Sequence, residues 1–160
     1  MSSPEHKQLI WSLIKDVGVA MLTTQDGDDL RARPMKLVQN DYDGKLWFFT
    51  KRSAEKVMEA AGEQPVCVTF ESPGAQVYVS LSGRARLSSD PNLIEKFWNP
   101  WAAAWFPRGK GDPDVVLLEV KVYKGEHWKN DENLVLKLVE YAKANVTAEP
   151  PNLGENQKFG

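Results

Sequence analysis

The spacing of hydrophobic residues changes several times along the chain, and each change marks an element. Leu9, Ile10, Leu13, Ile14 and Val17 recur at the intervals of one helical stripe, and Ser3 and Pro4 suit its N-cap and first position. A helix over residues 4–17 is predicted. After Gly18 come VAMLTT, LRARPMKLVQ and KLWFFT, three β-like runs parted by the turns QDGDD and NDYDG, which reads as an antiparallel meander. Pro34 has no N–H to give a ladder, so the second run belongs at an edge, a bulge or a break. From Ser53, the residues Ala54, Val57, Met58 and Ala61 return to helical spacing, and Gly62 with Pro65 stops it.

VCVTFE and QVYVSLSGRARLS, joined by SPGA, read as the fourth and fifth strands, with Gly83 marking a bulge or a barrel-corner bend. PNLIEKFWNPWAAAWF is helical to Trp98 and interrupted at Pro100, and the loop PRGKGDPD leads to a long sixth strand, VVLLEVKVYKGEHW. DENLVLKLVEYAKANV carries an imperfect helical stripe, so a C-terminal helix is predicted over residues 131–146. Residues 147–160, TAEPPNLGENQKFG, have the composition of a flexible tail. Mainly antiparallel strands cut by short helices, with no βαβ rhythm, predict a mainly β fold with flanking helices: a small closed or partly closed barrel in one domain, residues 1–146.

Composition narrows the functions available. A chain of 160 residues with 42% apolar content suits one domain with a real core. A net charge of -2 offers no global attraction to nucleic acid or anionic lipid, so neither is expected as a partner. Cys67 is the single cysteine, which excludes an internal disulfide; its place in VCVTF predicts a buried structural thiol. The start MSSPEHKQ sets charges before its apolar residues and no run approaches a membrane span, so a soluble cytoplasmic protein is expected. His6 and His127 lie far apart without ligand spacing, and no metal site is expected. There is no GxSxG elbow, Walker loop or GxGxxG, and Asp26, Asp28 and Asp29 fit ordinary turn chemistry. Binding chemistry remains: aromatic faces and a few cations.

Those cations gather in FFTKRSAEK. If Ser53 caps the following helix, Lys56 takes the third helical position, where a capping box has Glu or Gln, and Lys51 and Arg52 precede the cap. Cations at the positive end of a helix dipole cost about 0.3 to 1 kcal/mol each unless an anion intervenes. Thr50 and Ser53 hydroxyls, first-turn amides and Lys56 are groups that bind phosphate, yet the same charges fit a solvated surface, and local physics leaves both open. In LRARPM, Arg31 and Arg33 share a strand face. If NDYDG folds that strand back along KLWFFT, they converge on the same turn; otherwise they are a solvated face.

Taken in order, GVAMLTT, LRARPMKLV, LWFFTKRSAEK, VYVSLSGRARLS and GEHWKN resemble the pyridoxamine 5'-phosphate oxidase-like family, within it the general stress protein group of flavin-binding split barrels. The likeness runs from Val17 to Trp128. It implies a six-stranded antiparallel Greek-key split β-barrel that forms a homodimer, with FMN in a groove between the subunits. Carried residue by residue, it makes Arg33 and Lys56 phosphate partners, Thr50 and Ser53 hydroxyl donors to that phosphate, and Arg31 a further cation. It also makes Met35, Lys36 and Leu37 the strand that offers backbone to the isoalloxazine, sets Phe49 where the flavin passes the strand end, and brings Tyr78 and Trp128 from the other subunit.

One departure bears on activity. The vitamin-forming oxidases follow the C-terminal tryptophan with an Arg/His-rich motif, whereas here Trp128 is followed by KNDENLVL, so pyridoxamine 5'-phosphate oxidation is not expected. The resemblance implies instead an FMN-binding general stress protein, either a flavin-dependent oxidoreductase or a non-enzymatic flavin carrier or sensor. FAD, deazaflavin and haem remain alternatives for the ligand. No side chain stands out as acid or base, so no catalytic residue is assigned. Trp98, Trp101 and Trp105 either wall the pocket or pack a helix on the barrel.

Overall fold

A computed structural model describes residues 3–130, 134–150 and 154–160. The Ser3 side chain accepts from the His6 backbone N–H, and Pro4 supplies a preset φ, so helix α1 spans Pro4–Ile14. It ends at Ile14 rather than residue 17, and its buried stripe, Ile10 and Ile14, joins the main core.

The strands β1 (Val19–Asp26) and β2 (Asp29–Lys36) form the predicted hairpin, turning at Gly27 with φ 61°. The predicted meander then fails. β3 (Lys45–Lys51) pairs along its length with β6 (Val115–Asn130), and it meets the β2 run at the Leu37–Phe48 bridge, the Val38 N–H to Trp47 carbonyl bond and the Gln39 side chain, which accepts from the Trp47 N–H and donates to the Lys45 carbonyl. With β4 (Gln64–Ser72) and β5 (Val77–Ser88) the sheet order is β2-β1-β4-β5-β6-β3, a curled antiparallel sheet that nearly closes and leaves a slit between β2 and β3. This is the split barrel expected. β2 is its terminal strand, which accommodates Pro34.

β6 wins β3 because β3 is buried on both faces. Leu46 and Phe48 enter the barrel core, while Trp47 and Phe49 enter a second core on the outside. That second core is capped by α3 (Pro91–Phe97) and α4 (Pro100–Trp105), each begun by a proline and capped by Asp90 and Asn99. Trp98 packs against Phe49 and Phe106 there, which answers its ambiguity in favour of helix packing. Trp101 is partly buried beside it, and Trp105 is 65% exposed.

Gly83 sits at the register shift between β5 and β6, as expected of a bulge. A Cβ there would lie 2.6 Å from Val120 Cγ1 and 2.8 Å from the Lys121 carbonyl oxygen, so the two strands cross at a point only glycine fits.

Four further expectations are amended. The short helix α2 spans Lys56–Ala61 and is preceded by one 3-10 turn, Arg52–Ala54, so Ser53 is not its N-cap. Helix α5 spans Leu134–Thr147; residues 131–133 of the predicted helix lie outside the described residues. The tail contributes a seventh strand, β7 (Gly154–Phe159), paired with β6, and its buried Phe159 contacts the rings of His6 and His127. Cys67 is half-buried rather than buried, since alternation along β4 turns it away from Val66 and Val68 in the core. Among the described residues no helix is long and apolar enough to cross a membrane.

Candidate functional site

The β1–β2 hairpin sets Leu22 opposite Arg33 and Thr24 opposite Arg31, so both arginines face the inner side, as the alternation predicts. Arg33 donates to Thr24 Oγ1 at 2.8 Å and to Glu55 Oε2 at 2.7 Å. Glu55 is 6% exposed, and its other oxygen accepts from Thr50 Oγ1 at 3.3 Å. A buried carboxylate thus holds two of the groups assigned to phosphate. The Arg33 Nε–H is buried with no hydrogen-bond acceptor among the described residues, so the guanidinium retains donor capacity.

Ser53 is engaged elsewhere. Its backbone N–H and its hydroxyl both donate to the Asp114 carboxylate at 2.8 Å, and the Arg52 N–H donates to the Asp114 carbonyl oxygen. The two Ser53 bonds, the N–H foremost, hold the Asp114 carboxyl below its ordinary value, with Lys51 and Arg52 adding attraction. The turn after β3 is therefore tied to the start of β6.

Arg31, Arg33, Ser53 and Lys56 nevertheless line one open cleft of about 150 Å³, together with Thr24 and Glu55. Lys56 and Arg31 are exposed there and make no ion pair among the described residues. Two unpaired cations, a half-neutralised guanidinium and a serine around a small cleft can hold an anion of phosphate size. Thr24 and Glu55 escaped the sequence reading. The hairpin register would have found Thr24 opposite Arg31; Glu55 drew notice only as partial compensation for nearby cations.

The other expected residues lie outside this cleft. Met35 packs on the main core, and Leu37 donates its N–H to the Gly18 carbonyl and bridges to Phe48. With Leu37 bonded toward β1, antiparallel alternation turns the Lys36 N–H and C=O away from β1, to the side where the Leu37–Phe48 bridge joins β3 and occupies the carbonyl. The Lys36 ammonium stands 5.9 Å from the Trp101 ring centroid. Phe49 is buried under Trp98 and Phe106 in the second core. Tyr78 and Trp128 face each other directly across β5 and β6, on the convex side of the sheet.

The profile described as "Pyridoxamine 5'-phosphate oxidase like" matches residues 5–152. The solved structure of a protein assigned to general stress protein 26 from Jannaschia sp. CCS1 is 33% identical, with a TM-score of 0.74 over 98% of this chain and 99% of that one. The general stress FMN/FAD binding protein of the phytopathogen Xanthomonas citri is 31% identical, with a TM-score of 0.72 over 82% of this chain and 94% of its own. General stress protein 26 of Bacillus subtilis is 25% identical over 125 residues, covering 76% of this chain and 86% of the relative.

Proposed function

Since the chain belongs to the pyridoxamine 5'-phosphate oxidase-like family, we propose that it is a cytoplasmic flavin-binding protein of the general stress type that holds FMN at a homodimer interface. The observation that carries this is the meeting of Arg31 and Lys56, both without an ion-pair partner among the described residues, in one cleft beside the free edge of β2. The flavin-binding description of the Xanthomonas citri relative supports the same ligand class.

The residues fit the group in charge. Arg31 and Lys56 supply full charges for a phosphate and Arg33 an unclaimed Nε–H, while Ser53 lines the cleft with its hydroxyl proton given to Asp114 and Thr50 acts through Glu55. The β2 edge at Lys36 offers its N–H to the polar rim of a planar ring, with Met35 and Leu37 fixing that strand. Tyr78 and Trp128 of the partner subunit would close the groove. Phe49 shapes it from beneath rather than lining it. A bound flavin supplies redox chemistry, and the chain's own residues bind it, orient it and limit water.

Titration of the purified protein with FMN, riboflavin and FAD, followed by absorbance and fluorescence, tests this assignment. FMN is expected to bind more tightly than riboflavin; equal affinity would remove the phosphate site. Turnover of NADH or NADPH by the loaded protein distinguishes an oxidoreductase from a flavin carrier.

A further inference from the structure

We propose a second anion site on the outer face of β3, β6 and β5, built for a compact polyanionic small molecule. Cross-strand register sets Lys45 opposite Lys121 and Lys121 opposite Arg84, a row of three cations over three strands. Like charges directly opposite one another on a sheet destabilise it, so such a row is costly unless something neutralises it.

Carboxylates nearby neutralise only its ends. Glu119, 5% exposed, binds Lys45 through one oxygen and Arg86 through the other, each at 3.0 Å. It is thereby shared between two cations. Arg84 reaches Glu63 at 3.6 Å, with both side chains half in water. Lys121, in the middle of the row, makes no ion pair among the described residues.

These side chains with Tyr123 enclose a cleft of about 500 Å³ carrying four cations, Lys45, Lys121, Arg84 and Arg86, against two carboxylates, Glu63 and Glu119. The chain as a whole has a net charge of -2, so this excess is local. The concave form and volume fit one small molecule. Glu119 fixes Lys45 and Arg86 as a preorganised floor, and Lys121 and Arg84 remain to grip an anion bearing two or more charges. Glu63 lines this cleft and Gln64 the Arg31 and Lys56 cleft, so the two sites lie on either side of the turn after α2. The second site does not depend on flavin binding at the first.

The experiment titrates the full chain with inorganic pyrophosphate and, separately, citrate at constant ionic strength, reading heat of binding and Tm. Saturable binding of either is expected; pyrophosphate alone assigns a phosphate-bearing ligand, citrate alone a polycarboxylate, and both a general polyanion. Lys121→Gln is expected to weaken binding about tenfold while raising the ligand-free Tm, because the row loses its middle charge. Lys15→Gln, distant on the chain, should change neither, and FMN affinity should stay constant in both variants. No saturable binding, or binding indifferent to Lys121→Gln, would overturn the site. So would a change of solution mass in Lys121→Gln, which would assign the row to contact with a second copy.

Discussion

Glu55 and Lys56 are adjacent and act on the phosphate cleft in opposite senses. Lys56 is exposed and makes no ion pair among the described residues, so Lys56→Ala should leave the fold intact and remove a charge-assisted bond worth about 1.5 to 3 kcal/mol. FMN should bind on the order of 10- to 100-fold more weakly, measured by fluorescence titration; unchanged affinity would return Lys56 to the solvated surface. Glu55 is buried against Arg33 and Thr50. Glu55→Gln keeps an acceptor but leaves the Arg33 charge without its counterion, which should lower ligand-free stability by about 1 to 3 kcal/mol. The freed charge should tighten FMN, so the loss of Tm should shrink or vanish at saturating FMN; calorimetry with and without flavin reads both. At this scale the sequence showed which cations gather but not which anions already hold them. The Ser53 misassignment has one cause: Asp114, far along the chain, takes its N–H and hydroxyl, and no local capping pattern records so distant a partner.

Elements whose signal is local were legible. The β1–β2 hairpin followed from alternation and a Gly-containing turn, and the helix stop at Gly62 from a residue that adopts φ 77° without penalty. Pairings decided by distant competition were not. NDYDG suggested a hairpin between β2 and β3, but the two-faced apolar pattern of KLWFFT finds fuller burial beside β6. The slit between β2 and β3, which frees the β2 edge up to the Leu37–Phe48 bridge, is a product of that competition. β7 was missed because GENQKF is polar apart from Phe159. Gly83 is the element whose role was visible beforehand and can be tested directly. Gly83→Ala would drive a methyl into Val120 and the Lys121 carbonyl, costing about 1 to 3 kcal/mol by overpacking. The midpoint of urea unfolding should fall with little change in slope, and an unchanged midpoint would mean that β5 and β6 can separate there at no cost.

The whole molecule leaves apolar surface that one copy of the chain does not cover. Val19 is 48% and Met21 42% exposed on the convex face of β1, with Pro34 and Ala32 opposite Met21 and Thr23 on β2. On the same face Met21 pairs with Thr69, Thr69 with Ser80 and Ser80 with Glu126, and the neighbouring row holds Glu71, Tyr78 and Trp128. A twofold arrangement that buries this face would bring one subunit's Tyr78 and Trp128 toward the other's β2 edge, joining the two halves of the proposed groove without any new element. Dimer formation and FMN affinity should then be coupled. Met21→Glu places a charge in the centre of the face and should shift solution mass toward the monomer. It should weaken FMN in parallel, although Met21 lines neither cleft and lies outside the phosphate residues. Mass photometry and flavin titration of the same samples test the linkage: added FMN should restore dimer in the variant by mass action. A monomeric Met21→Glu that bound FMN with full affinity would confine the flavin to one subunit and leave Tyr78 and Trp128 without a role in its binding.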